Sequence, residues 1–128
     1  MEKIKIFSAY YKQYYIPKSP IFCPIHVGHI NSQSELGLLA DDTGDNISSK
    51  NLTFNEVTAQ YWVWKNYLPY ANAEYVGFAH YNRFLDFNIS KPDGAFFNET
   101  LVLNFKKAFA KYTEENIQNR IKDYDVIV

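Results

Sequence analysis

The chain has 128 residues, enough for one domain with a real core and too few for two comfortable ones. Hydrophobic residues make up 47% and charged residues 21%, which fits a soluble globular class and excludes a disordered one. A formal net charge of −1 without any block of like charges argues against a nucleic-acid binder working through backbone electrostatics.

No apolar run reaches the length of a membrane span, and Met1-Glu2-Lys3-Ile4-Lys5 lacks the apolar region of a secretory signal. The single cysteine, Cys23, excludes an intrachain disulfide and agrees with a reducing cytoplasm. Its apolar setting, Ile21-Phe22-Cys23-Pro24, predicts packing and not nucleophilic chemistry. The aromatic content of 18%, with 11 Tyr and 10 Phe, suits sugar rings and nucleobases, and equally suits a small core and its rim.

Lys3 to Ala9 alternates and then turns apolar, as a first strand entering a sheet does. Pro17, Pro20 and Pro24 punctuate a non-helical connection, and Ile25-His26-Val27-Gly28 reads as a second short strand with His26 as a satisfied structural histidine. Ser34 to Ala40 reads as a loop or one helical turn. Asp41-Asp42-Thr43-Gly44-Asp45-Asn46 is the most turn-prone hexamer, because Asp and Asn bond their own backbone and Gly44 admits positive φ. It lacks the spacing and closing glutamate of a calcium-binding EF-hand loop, so it reads as a solvated turn.

A helix is expected from Asn51 or Thr53, with Thr53 and Glu56 as a capping box. Val57, Tyr61, Trp64 and Leu68 form its apolar stripe, which places Trp64 in the core, leaves Trp62, Lys65 and Asn66 on other faces, and lets Pro69 end the helix. Glu74 to Ala79 reads as a buried strand in which small Gly77 admits close packing by a helix. That strand delivers His80, Tyr81 and Arg83 at its C-terminal end, where open α/β sheets bind ligands. Arg offers a donor fork that matches phosphate oxygens, and His exchanges protons near neutral pH.

Asp86 to Asn98 is a polar loop with a Pro92-Asp93-Gly94 turn, and Leu101 to Lys111 is helical with Leu101, Phe105 and Phe109 aligned. Thr113 caps a further helix whose first turn holds Glu114 and Glu115 and whose buried stripe is Ile117, Ile121 and Tyr124. Asp125-Val126-Ile127-Val128 begins another strand, so the chain is expected to be the N-terminal part of a longer protein.

Three segments carry a resemblance. Asp41 to Asn51 (DDTGDNISSKN), Glu56 to Asn66 (EVTAQYWVWKN) and Tyr75 to Leu85 (YVGFAHYNRFL) occur in that order. They resemble the D-D-x-G-x-N-I-S-x-x-N, E-L-T-x-x-Y-W-x-W-K-N and Y-x-G-x-x-H-Y-R-R-Y-F segments of the DUF4422 family. That is a bacterial family assigned to glycosyl transfer in capsule, exopolysaccharide and lipopolysaccharide synthesis. Asn82 stands where the family has its first arginine, which removes one fixed positive charge.

The resemblance implies an α/β fold like that of the nucleotide-diphospho-sugar transferases (GT-A-like), with helices flanking a sheet. It implies a single domain over 1–128, incomplete after the strand at 125–128. It implies sugar transfer from a nucleotide-sugar donor to a glycan acceptor, in the cytoplasm or peripherally at the inner face of the membrane. Neither nucleic acid nor a membrane span is implied, and oligomeric state stays open.

On that basis His80, Arg83 and Glu56 are the catalytic candidates, with His80 and Arg83 stabilising the leaving diphosphate. Asp41, Asp42, Asp45, Asn46, Ser48, Asn51, Trp62, Lys65 and Tyr81 are the donor- and sugar-binding candidates. Little or no metal dependence is expected from this half; Mn²⁺ or Mg²⁺ on Asp41, Asp42 or Asp45 is the alternative, since hard cations take carboxylate oxygens. Two further readings stay open: a non-catalytic binding module or inactive remnant of such a transferase, and a nucleotide-sugar hydrolase.

Overall fold

The computed structural model describes residues 3–85, 96–97 and 113–125. The expected loop over 86–98, the helix over 101–111 and most of the closing strand lie outside the described residues, save the Phe96–Phe97 backbone and Asp125.

The first strand, β1 (Ile4–Tyr10), is the centre of the molecule. It pairs in parallel with β2 (Phe22–His26) on one side and with β4 (Tyr75–His80) on the other. A two-residue strand, β3 (Leu39–Ala40), adds to β2, so the parallel sheet runs β3-β2-β1-β4. Pro24 lies inside β2 and not in the preceding connection. It is tolerated because β3 pairs only with Ile25 and His26, leaving β2 without an outer partner at Pro24. Phe84–Leu85 (β5) and Phe96–Phe97 (β6) form a separate antiparallel pair.

Both faces of β1 are covered, which is why its sequence turns continuously apolar. Phe7 and Ala9 pack with Ile25 and Val27 of the second strand region, and with Ala59, Trp62 and Val63 from the helical segment. Ile4 and Ile6 pack on the opposite face with Phe22, Phe84, Ile117 and Ile121. The last two belong to α3 (Glu114–Ile121), whose N-cap Thr113 accepts a hydrogen bond from the Asn116 N–H at 3.2 Å. Glu114 does more than complement the helix dipole. Its carboxylate accepts from the Lys3 N–H at 2.8 Å and the Ile4 N–H at 3.3 Å, tying α3 to the start of β1. Tyr124 is exposed and does not extend the Ile117–Ile121 stripe, because the helix ends at Ile121.

The central helix is not one helix. A 3-10 turn (Ser48–Lys50) leads into α1 (Asn51–Phe54), the chain breaks at Asn55 with φ 51°, and α2 (Val57–Trp62) runs into a π turn (Val63–Tyr67) and a 3-10 turn (Leu68–Tyr70). Thr53 therefore lies inside α1, and neither it nor Glu56 makes a capping hydrogen bond. The break and the π turn also rotate the buried face. Thr58, Ala59, Trp62 and Val63 face the sheet, whereas Val57, Trp64 and Leu68 are exposed. The two tryptophans exchange their expected places: Trp62 is 9% exposed and Trp64 57%. Pro69 sits in the closing 3-10 turn, after which Ala71 is extended.

β4 is half-buried and not a buried strand, with Phe78 exposed. Among the described residues a Cβ at Gly77 would meet only the Ile6 side chain, at an ordinary 3.5 Å. Among the described residues no helix is long and apolar enough to cross a membrane.

Candidate functional site

Sheet polarity fixes where a ligand can bind. From β1 the chain builds outward through β2 and β3, then returns to place β4 on the other side of β1. The C-terminal ends of β1 and β4 thus flank the point where the strand order reverses, and in such sheets the crevice beyond those ends is the binding position. A cleft of about 170 Å³ opens there. Ala9 and Tyr11 line it from β1 and the residue beyond, Val27 from the end of β2, and His80 from the end of β4. Asn51, Asn55 and Glu56 close it from the helical side. Asn55 is the one non-glycine residue with positive φ among the described residues, so the strained turn between α1 and α2 is part of the cleft wall.

His80 and Glu56 meet in the cleft. His80 Nε2 lies 3.4 Å from Glu56 Oε1, and His80 Nδ1 is 2.7 Å from Asn82 Oδ1. The Asn82 oxygen accepts a hydrogen bond from the His80 Nδ1–H, which fixes the ring with Nε2 toward Glu56 and the cleft. The residue that replaces the family's arginine therefore orients the histidine. Arg83 pairs with His80 across a tight turn, through backbone hydrogen bonds of 3.0 and 3.2 Å. Directly opposed residues share a sheet face, so Arg83 shares the face of His80 while Phe84 packs on the other. Arg83 is exposed and does not line the cleft wall.

The DDTGDN segment is built differently. Asp41 is fully buried, and each carboxylate oxygen takes two donors. Oδ2 accepts from the Gly28 N–H at 2.8 Å and the Thr58 hydroxyl at 2.7 Å; Oδ1 accepts from the His29 N–H at 3.2 Å and from the Ser48 hydroxyl. A carboxylate has about four acceptor positions, and all four are used. Asp41 and Ser48 are thus a buried hub joining the β2 loop, the 3-10 turn and α2, and neither is exposed to bind a sugar hydroxyl. The hub also explains Gly28, whose φ of 64° and whose 2.6 Å gap from a would-be Cβ to Asn51 Oδ1 leave no room for a side chain.

The rest of the segment locks onto the helix. The Trp62 indole N–H donates to the Thr43 hydroxyl at 2.9 Å and the Thr43 carbonyl at 3.1 Å. The Tyr61 hydroxyl donates to Asp45 at 2.9 Å, and that bond to a carboxylate pushes the tyrosine pKa above its usual value. Asn66 Nδ2 donates to the Asp45 and Trp62 carbonyls at 2.8 and 3.0 Å. Trp62 is a core residue and not a stacking platform. Asn46 is used within the turn, donating to the Gly44 carbonyl and accepting from the Ser48 N–H. Lys65 caps the exposed Trp64 ring, with Nζ 3.8 Å from its centroid.

Tyr81 is likewise enclosed. It is buried among Tyr10, Tyr11 and Tyr14, with ring centroids 5.0 to 6.3 Å away, and Lys12 Nζ sits 5.1 Å from its own ring. Its ring is a packing element and not an open stacking surface.

The three DDTGD carboxylates each have partners within the fold. Asp41 is saturated by the hub, Asp42 Oδ2 is 2.6 Å from His29 Nδ1, and Asp45 accepts from Tyr61. His29 holds Glu35 on its other nitrogen at 2.8 Å, and the Glu35 and Asp42 carboxylates push its pKa up to about 8. His26, expected to be satisfied, is fully buried with neither ring nitrogen hydrogen-bonded. Burial, with the neighbouring His29, pushes its pKa down.

Of the expected site residues, the structure brings His80, Glu56 and Asn51 to one cleft and sets Arg83 on the face of His80. Asp41, Ser48, Trp62 and Tyr81 go into the interior. Asn55 and Tyr11 line the cleft without having been singled out; only the asparagine at a helix break carried a signal.

Comparison with known proteins agrees with this architecture. The family described as "Domain of unknown function (DUF4422)" matches residues 5–128. The chain belongs to the DUF4422 family. The apo structure of WbbM, a bifunctional glycosyltransferase, superposes with a TM-score of 0.74 at 38% identity. The alignment covers 97% of this chain and 22% of WbbM, so the chain spans about a fifth of that protein's length. No curated protein sequence matches the chain. The DUF4422 chain thus has a glycosyltransferase-like α/β fold, a parallel sheet flanked by helices, and represents one portion of a much longer relative.

Proposed function

We propose that this DUF4422 chain is the donor-binding portion of a glycosyltransferase that passes a sugar from a nucleotide-sugar donor to a growing surface polysaccharide. The observation that carries the reading is the cleft at the strand-order reversal, with Glu56 and His80 in its wall and Arg83 on the same sheet face. The diphosphate lies at the His80–Arg83 strand end, where Arg83 supplies fixed charge and His80 donates a hydrogen bond as the leaving group gains negative charge. Glu56, 3.4 Å from His80 Nε2, is placed to accept a hydrogen bond from a sugar hydroxyl in the cleft. Asn51 offers a polar edge to the same cleft. The DDTGD carboxylates are already engaged, so no step is assigned to Mn²⁺ or Mg²⁺ on them.

Residues 1–128 belong to a single domain that continues past the strand at 125–128 and works in the cytoplasm or peripherally at the inner face of the membrane, where capsule, exopolysaccharide or lipopolysaccharide is assembled. The second reading, a binding module without turnover, is favoured by Asn82, which removes one positive charge beside the diphosphate position. Calorimetry with uridine and guanosine diphosphates, on the chain and on Arg83→Ala, tests both. Binding that weakens about tenfold or more in the variant supports donor binding. Absence of nucleotide binding by the folded chain overturns it. Turnover of a nucleotide sugar separates the transferase from the module.

A further inference from the structure

We propose that His26, His29 and Glu35 form a binding site for a divalent transition-metal ion of the zinc class, with Asp42 as the outer partner of His29. One ligand atom from each of the three residues lies within 4.8 Å of the others. The four-coordinate zinc distances of about 2.0–2.2 Å put neighbouring ligand atoms roughly 3.3 Å apart. The half-exposed His29 and the exposed Glu35 can make that adjustment without disturbing the sheet.

The observation pointing to a ligand is independent of the cluster. His26 is fully buried at the end of β2, and both of its ring nitrogens lack any hydrogen-bond partner. A buried polar group left in that state needs an explanation, and a coordinated ion supplies one. The surroundings of His29 give the second half of the arrangement. Asp42 Oδ2 at 2.6 Å holds the proton on Nδ1, and a bound ion would displace the Nε2 proton now shared with Glu35 Oε2 at 2.8 Å and take its place between the two side chains. A carboxylate behind a histidine is the usual means of fixing a ligating tautomer.

Two imidazoles and one carboxylate suit zinc and its transition-metal neighbours better than magnesium or calcium. Three protein ligands leave a fourth position open on the exposed Glu35 side. The ion would tie the end of β2 to the loop before β3. It would thereby hold Val27, which lines the cleft, and Gly28, which donates to Asp41. None of this depends on what the cleft binds.

The test uses the chelator-treated chain titrated with ZnCl₂ by calorimetry and with CoCl₂ by visible absorption. One ion per chain is expected, with the strong visible bands of four-coordinate Co²⁺. Affinity is expected to fall at least tenfold in Glu35→Ala and in His29→Ala, and several-fold in Asp42→Asn. Glu35 is exposed, so Glu35→Ala stays folded and keeps the test decisive where a His26 variant fails to fold. No binding by the folded chain overturns the site. Binding of equal strength in Glu35→Ala and His29→Ala also overturns it, leaving an adventitious surface ion and a His29 clasped between two carboxylates.

Discussion

The Asp41–Asn66 block and the rim of the cleft contain the same kinds of residue in opposite states. In the block, Asp41, Ser48, Thr58, Tyr61, Trp62 and Asn66 all direct their polar atoms at one another or at nearby backbone. At the rim, Glu56 and His80 meet at a long 3.4 Å, and Arg83 reaches into solvent. A side chain whose hydrogen-bonding positions are filled from within holds the fold. One with capacity left over can hold a ligand. The conspicuous motifs therefore hold both kinds of residue: Glu56, His80 and Arg83 come from the same segments that anchor the fold, and Asn51 closes one motif, borders Gly28 and lines the cleft.

The sharpest way to break this contrast is to remove the hub. Asp41→Ala strands up to four buried donors and is expected to cost roughly 3–5 kcal/mol, read as a lower urea midpoint. An unchanged midpoint would mean the block is not the anchor described. Trp62→Ala is expected to cost about 3–5 kcal/mol, against no more than about 0.5 kcal/mol for the exposed Trp64→Ala. Equal losses would contradict the reversed roles of the two tryptophans.

At the rim the effect moves from stability to binding. Arg83→Ala should leave the unfolding midpoint within about 0.5 kcal/mol while weakening nucleoside diphosphate binding about tenfold or more.

The smallest effect concerns Tyr10, another satisfied interior group, whose hydroxyl donates to the Tyr15 carbonyl at 2.7 Å. Burial raises its pKa above the ordinary 10.0, so the folded state holds the proton more tightly than the unfolded one. Its contribution is fully present below pH 10 and fades as pH climbs above that value. Tyr10→Phe should cost about 1 kcal/mol at neutral pH, with the gap to the parent chain narrowing in alkaline unfolding curves.

Much of the frame was legible because its signals are local. The alternation of Lys3 to Ala9, the strand ending at His80 and the Thr113 cap each depend on neighbours in sequence. What misled was the assumption of one uninterrupted helical period. Val57, Tyr61, Trp64 and Leu68 satisfy that period, but the break at Asn55 and the π turn at Val63–Tyr67 offset the faces. The true stripe hides behind small or polar residues, Thr58 and Ala59. Asp41 was misread for a related reason. A turn-prone hexamer suggests solvent, and only the folded chain brings Gly28, His29, Ser48 and Thr58 around its first carboxylate.

The most direct test of the division between anchor and cleft is an amide shift map of the ¹⁵N-labelled chain titrated with uridine diphosphate. The account predicts the largest shifts at Ala9, Val27, Asn55, Glu56, His80 and Arg83, with Thr43, Asp45 and Trp64 nearly still. Shifts centred on Thr43, Asp45, Trp64 and Lys65, with the strand ends unmoved, would contradict it and return the ligand to the motif block.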